Sequence, residues 1–532
     1  YRTVPGTVHG VMAEILARWP KHWRRASGYN LDRLAAALLP PDQRSRLSVA
    51  SRVRPPVADP TGIDRFNLAQ LLTGSEGTLA VMTAATLNLV EKPQLTGLAV
   101  VHFDDLIEAC AAITDILETE PSAAELLDKQ LMDLARAQPD WARRLHFVQG
   151  DPAAVMLTEF YGVDQGEIAA KLDRLEAHLR SRGDRGAIRQ VLDPARQAEV
   201  WEVRKAGLNI LMSRRGEFKP VPGIEDVSVP QADLADYLSQ ILAFCQDQGD
   251  VPSVAVYAHA SAGCLHVRPL MNVKTARGVE LLQEVSDYAC DLAVGYRGAM
   301  SGEHGDGLAR SELNPRIFGP ELYAALCDVK TAFDPRNLLN PGKIVHAPPR
   351  ADNLRYGPGY QTIQLDTVFD WGPDGGYAPA IEMCNGAGVC RKLNNGSMCP
   401  SFMATRDERD TTRGRANALR NALAGRIPQE ELFAPEMKEV MGLCLGCKAC
   451  KTECPSAVDM AKIKAEYMVH YHQKNGLPLF NRLMGMLPTL NVQLYRYGRP
   501  LLPLVNWTLG SAPAKAVMAQ IGVDPERTLP AY

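Results

Sequence analysis

Cys444-Leu-Gly-Cys447-Lys-Ala-Cys450-Lys-Thr-Glu-Cys454-Pro455 has the spacing C-x2-C-x2-C-x3-C-P. That spacing wraps three thiolates around one iron–sulfur cluster and sends the fourth to a neighbouring cluster. Zinc sites usually take cysteines in separated C-x2-C pairs, and three in tandem before Cys-Pro are unusual for them. The stretch predicts an electron-carrying, ferredoxin-like domain. Upstream, Cys384-Asn-Gly-Ala387-Gly-Val-Cys390 repeats the frame with Ala387 in place of the middle thiol, and Cys399-Pro400 follows. Two-cluster ferredoxins cross their ligands, so Cys399 completes a 4Fe–4S set with Cys444, Cys447 and Cys450. Cys384, Cys390 and Cys454 remain for a second, three-cysteine cluster. The sequence leaves open whether that second site is filled.

At 532 residues, the chain is long enough for about three domains of ordinary size. Its 46% hydrophobic and 22% charged residues are those of a globular protein able to bury a sizeable core. A net charge of -3 offers no basic field for nucleic acid. No run of 18 apolar residues predicts a spanning helix, and no secretory signal opens the chain. Seven of the 12 cysteines lie in the two blocks, which suits a reducing compartment and predicts a cytoplasmic protein. The sequence opens without Met and in mid-pattern, and reads as a piece of a longer protein.

Further segments carry chemistry. Arg25-Ala-Ser27-Gly28-Tyr29-Asn-Leu-Asp32 is followed, after a loop holding Pro55, Pro56 and Pro60, by Gly74-Ser75-Glu76-Gly77-Thr78. Two glycines around a small hydroxyl residue let backbone approach a ligand and present amides to it, although a plain turn has the same composition. The motif sits between a helical apolar pattern and a strand-like Thr86–Val90. His259 and His266 flank a tight turn at Ala262-Gly263 between strands predicted at Ser253–Ala258 and Leu265–Leu270, so the two rings can converge on one ion. Ser301-Gly-Glu303-His304-Gly-Asp306-Gly307 follows a helix predicted at Ala276–Val294 and presents a carboxylate and an imidazole in a glycine-rich loop.

The segment from Arg25 to Thr78 resembles the second half of the flavin domain of the vanillyl-alcohol-oxidase-type FAD enzymes. Residues 96–348 resemble the C-terminal, substrate-capping domain of that FAD-linked oxidase family. The resemblance implies an α+β fold with strands at Leu98–Phe103 and Val155–Tyr161 and helices at Asp104–Glu118 and Gly166–Arg180. Residues 1–95 are then the C-terminal part of the FAD-binding domain, with the pyrophosphate-binding half missing upstream. Ser27, Gly28, Tyr29, Gly74, Ser75, Glu76, Gly77 and Thr78 are the implied FAD contacts. Lys343, in Phe333-Asp-Pro-Arg-Asn-Leu-Leu-Asn-Pro-Gly-Lys343-Ile344, is implied beside the flavin.

The two histidines and the Glu-His pair look like the branch of this family that oxidises D-2-hydroxyglutarate, D-lactate or glycolate. By that resemblance His259, His266 and Glu303 hold a divalent metal, zinc or manganese, and His304 is the catalytic base. Arg204, on a helix read as starting at Trp201, and Lys219 hold the acid's carboxylates. Two imidazoles and one carboxylate leave coordination positions open for a substrate.

Residues 349–375 read as a linker, 376–475 as the iron–sulfur domain with a helical Arg406–Arg420, and 476–532 as a helical tail leading to a missing C-terminal region. In that tail Pro478, Pro488, Pro500 and Pro503 are read as breaks that favour docking against another domain. Arg482, Arg496 and Arg499 among Leu, Met and Phe offer weak membrane contact at the inner face of the cell membrane as the alternative. An FAD domain and an iron–sulfur domain in one chain resemble the large bacterial D-2-hydroxyglutarate dehydrogenases. The resemblance implies hydride transfer from a D-2-hydroxy acid to FAD, then single electrons to the cluster. An external acceptor follows, a quinone, flavoprotein or cytochrome, in a homo-oligomer. The competing expectations are D-lactate or glycolate oxidation and an electron-transfer adaptor without substrate chemistry of its own.

Overall fold

The computed structural model describes residues 3–40, 47, 67–87, 89–183, 186–394, 396–520, 523–524 and 526–527. The loop with Pro55, Pro56 and Pro60 lies outside the described residues. The chain divides into two compact units, residues 1–361 with 383–387 and 452–457, and residues 362–382 with 388–451 and 458–532.

In the first unit the apolar runs Leu98–Val101 and Ala154–Leu157 are hydrophobic at successive positions, so both faces of their strands need cover. They belong to β1 (Leu95–Phe103) and β3 (Ala154–Gly162) of an eight-stranded sheet. The other strands are β2 (Ala123–Asp128), β4 (Ile188–Val191), β5 (Lys219–Pro220), β6 (Ile224–Ser228), β7 (Val254–His259) and β8 (Cys264–Met271). Their order is β4-β1-β3-β2-β7-β8-β5, with β6 also paired to β8 and the pairings antiparallel. Alternate residues divide as the pleat requires. Leu98, Val100, Val155 and Leu157 pack with helices Lys129–Arg136 and Pro194–Leu211. Ala99, Val101, Ala154 and Met156 pack on the other face, in the core that includes Leu172, Leu238 and Leu281.

Several sequence-predicted elements have different bounds. The helix expected over Asp104–Glu118 is two, Leu106–Ala111 and Ile113–Leu117, the first capped by the Asp105 carboxylate, which accepts from the amides of Ile107 and Glu108. The helix expected to start at Trp201 runs over Pro194–Leu211, because Asp193 caps it and Pro194 occupies its first turn. Thr86–Val90 forms no strand at its described residues. Leu87, Leu89 and Val90 are exposed there, and among the described residues no neighbouring strand supplies backbone partners.

The second unit is helical. Glu466, fully buried on helix Met460–Asn475, accepts from the amides of Val368 and Phe369 and from the indole of Trp371, tying residues 368–371 to that helix. The helix predicted at Arg406–Arg420 is a short turn, Glu408–Asp410, and a helix, Thr412–Leu423, capped by Thr411. In the tail, helix Leu479–Tyr497 continues through Pro488, where a break was expected. The ring costs one backbone hydrogen bond there, and the turns on either side persist. Helices Leu479–Tyr497, Leu502–Leu509 and Ala512–Gln520 bury no residue. Among the described residues no helix is long and apolar enough to cross a membrane.

Candidate active site

The β7–β8 hairpin turns through Ala260–Ala262 and Gly263, whose φ of 65° suits glycine. Register pairs His259 with Cys264 and Tyr257 with His266. His259 and His266 thereby approach each other, ring centroids 5.1 Å apart and nearly perpendicular. His266 is buried, stacked between Tyr257 at 4.7 Å and His304 at 5.3 Å.

Glu303 and His304 reach this hairpin because of a bulge in β6. Between Glu225 and Val227 the register slips, and Asp226 takes a left-handed φ of 73°. Its buried carboxylate gathers the 301–304 loop: the Ser301 hydroxyl donates at 2.6 Å, the His304 amide at 2.9 Å and the Glu303 amide at 3.1 Å. The Cys264 thiol donates to the same carboxylate at 3.3 Å. Gly302 packs so closely that a Cβ there would meet the Cys264 sulfur at 2.8 Å.

The result is a convergent donor set. One ligand atom from each of His259, His266 and Glu303 lies within 4.8 Å of the others. His304 stands beside them, its Nε2 3.6 Å from Oε1 of Glu303, and its side chain is 40% exposed against 3% for His266. Two further sets, Glu225-His266-His304 and Asp226-Glu303-His304, satisfy the same spacing, so the cluster is acidic and imidazole-rich throughout.

Charge is distributed unevenly over the histidines. Burial opposes protonation of His259, but the carboxylates of Glu125 and Glu303 outweigh it and raise its pKa to about 9. The hydrogen bond from His259 in turn draws Glu303 down to about 2. Burial holds His266 well below the ordinary range, helped by the neighbouring cations of His259 and Arg204, so it stays neutral with a lone pair to offer. Its Nδ1 is buried without a hydrogen-bond partner among the described residues.

The remaining sequence candidates occupy several surroundings. Arg204 is buried, its guanidinium 5.1 Å from the Tyr257 ring and in contact with Glu125 at 2.8 Å. Lys219 donates to the Arg214 carbonyl. The Gly28 amide donates to Asp306, the Tyr29 hydroxyl lies 2.7 Å from that of Thr78, and the Ser301 amide donates to the Ser27 hydroxyl. Glu76 accepts from the amides of Asp306 and Gly307, and Ser75 donates to the Leu72 carbonyl. The segments at 27–29 and 74–78 therefore both meet the 301–307 loop. Gly74 and Gly77 have left-handed backbones and open space where a Cβ would stand. Lys343 is half-buried two residues before Val345. Glu125 and Asp226 were missed as site residues. Glu125 reads as one polar position in an apolar strand, and nothing local marks it.

In the second unit Cys399, Cys444, Cys447 and Cys450 line one pocket, with Arg415 and Thr412 beside them. The Cys399 sulfur lies 3.1 Å from the Thr412 hydroxyl. Cys390 belongs to this unit, whereas Cys384 and Cys454 group with the first.

Residues 92–344 match the family of FAD linked oxidases, C-terminal domain, and residues 380–458 match the 4Fe-4S dicluster domain. The chain is similar to D-2-hydroxyglutarate dehydrogenase of Pseudomonas putida, 31% identical over 80% of this chain and 45% of that protein. It is also similar to D-lactate dehydrogenase of Archaeoglobus fulgidus, 28% identical over 53% of this chain and 58% of that one. Among solved structures, p-cresol methylhydroxylase with substrate bound is similar over 48% of this chain and 53% of its own, at 14% identity and a TM-score of 0.36. The chain spans about half the length of the curated relatives it matches. It thus carries an FAD-linked oxidase C-terminal domain of α+β fold followed by a 4Fe-4S dicluster domain.

Proposed function

We propose that this chain contributes to oxidation of a D-2-hydroxy acid, D-2-hydroxyglutarate to 2-oxoglutarate, with electrons leaving through an iron–sulfur cluster. The observation that carries the reading is the convergence of His259, His266 and Glu303 with the more exposed imidazole of His304 at their edge. A neutral buried imidazole, a second imidazole and a carboxylate of low pKa form a donor set suited to zinc or manganese. Such an ion, when bound, supplies Lewis acidity toward an α-hydroxyl.

His304 is assigned as the base that takes the hydroxyl proton. Its exposed ring is open to a substrate, and its backbone is held by Asp226. Arg204 and Lys219 are assigned to the carboxylates of the acid. FAD, when bound, supplies the hydride acceptor. Ser27–Tyr29, Gly74–Thr78 and Lys343 are the residues assigned to it, supported by the open glycine positions at 74 and 77. A 4Fe–4S cluster held by Cys399, Cys444, Cys447 and Cys450 supplies a one-electron carrier, and a quinone, flavoprotein or cytochrome is the external acceptor.

D-lactate or glycolate oxidation is the second reading, favoured by the similarity of 53% of this chain to a D-lactate dehydrogenase. Steady-state rates with D-2-hydroxyglutarate, D-lactate and glycolate and an artificial acceptor, on the full-length protein, decide between them. A kcat/KM for D-2-hydroxyglutarate no higher than for the monocarboxylates would overturn the assignment of substrate.

A further inference from the structure

Glu125 is buried on β2, and its carboxylate stands between two residues with different proposed tasks. Nδ1 of His259 lies 2.9 and 2.8 Å from its two oxygens. Nε and Nη2 of Arg204 both reach the single oxygen Oε2, at 3.0 and 2.8 Å, so one edge of the guanidinium is held at that atom. On its other side, His259 turns Nε2 toward Glu303 at 3.0 Å. Glu125 itself belongs to none of the convergent donor sets among the described residues.

We infer that Glu125 is the positioning residue of the metal centre, holding His259 with Nδ1–H inward and Nε2 free for the ion while fixing Arg204 against Tyr257. The inference rests on the metal reading given above. An ionised carboxylate accepts from both neighbours at once, and an imidazole whose Nδ1–H is so engaged can offer only Nε2 as a ligand. A carboxylate behind a ligating histidine sets the ring's orientation and raises its basicity, and losing one typically costs 10–100-fold in metal affinity. Arg204 adds a second consequence. Its Nη2 lies 3.3 Å from Nδ1 of His259, and the Glu125 carboxylate gives both nitrogens a common acceptor, so the two side chains are fixed together.

In Glu125→Gln one oxygen remains as acceptor, and the amide NH2 must face a donor, either His259 or Arg204. Glu125→Asp keeps the charge but withdraws it by one methylene, so it cannot hold both partners. The test is Zn2+ affinity of the full-length protein, measured by competition with a chromophoric chelator, with melting of the metal-free proteins as the control of folding. The expected result is a Zn2+ dissociation constant raised 10–100-fold in Glu125→Gln and about 10-fold in Glu125→Asp, with melting temperatures near wild type. An affinity within twofold of wild type in either folded variant overturns the role of Glu125 and leaves the metal site standing. Wild-type protein that takes up no Zn2+, or takes it up equally well as His259→Ala, overturns the metal reading and this inference with it.

Discussion

Nε2 of His259 lies 3.0 Å from Oε1 of Glu303, a residue 44 positions further along the chain. With His259 raised to about 9 and Glu303 drawn down to about 2, the two form an ion pair across neutral pH in the metal-free site. The pair keeps two proposed ligands together, and its proton must leave before His259 can bind an ion.

Metal uptake is therefore expected to release one proton at pH 7. Because His259 is protonated up to about pH 9, apparent Zn2+ affinity should climb by about tenfold per pH unit from pH 6 toward 9 and level off above it. Chelator competition at four pH values measures the slope. A flat profile would mean that His259 is already neutral or is not a ligand.

Chelation should abolish turnover and leave flavin and iron–sulfur absorbance in place, with Zn2+ or Mn2+ restoring activity. Full activity in demonstrably metal-free protein contradicts the assignment of His259, His266 and Glu303.

Base and ligand should separate by mutation. His304→Ala is expected to lower kcat by on the order of 10² or more with metal content near wild type, as loss of a general base does. His259→Ala should lose the metal as well. Normal turnover in His304→Ala reassigns the proton acceptor.

Asp226 should matter for stability before chemistry. Asp226→Ala strands the amides of Glu303 and His304 and the Ser301 hydroxyl, and forces alanine into a left-handed backbone. A loss of about 2–4 kcal/mol is expected, and roughly half that for Asp226→Asn, which keeps an acceptor and tolerates the backbone. Denaturant unfolding of the metal-free protein reads the difference, and equal losses in the two variants would refute the account.

Replacing Cys399, Cys444, Cys447 or Cys450 by Ser should remove the 4Fe–4S signal while substrate still reduces the flavin. Onward transfer to the acceptor should stop. Iron analysis and anaerobic single-turnover spectra test both halves, and an intact cluster in Cys399→Ser would show that the ligand crossing is wrong.

Features set by short-range geometry were legible in the sequence. The spacing of Cys444, Cys447 and Cys450 marks a cluster loop because cysteines three positions apart in a turn can face one centre. His259 and His266 meet because a hairpin brings positions seven apart together, and the residues between them, with Gly263, are those of a tight turn. The strand expected at Leu98–Phe103 lies within β1, although Thr86–Val90 pairs with no strand at its described residues. A period alone does not supply the neighbour that satisfies a backbone.

Only the tertiary structure decided what stands behind those residues. Glu125 lies 134 positions from His259, which it reaches because β2 pairs with β7, setting Leu126 opposite Ala258, and 79 from Arg204, which comes to it from the helix Pro194–Leu211. Asp226 holds the Ser301–His304 loop because one residue too many in β6 turns it out of register. Neither carboxylate has a local signature. A buried charge is tolerated only where distant donors surround it, and those donors are assembled by strand pairing between segments far apart in the chain.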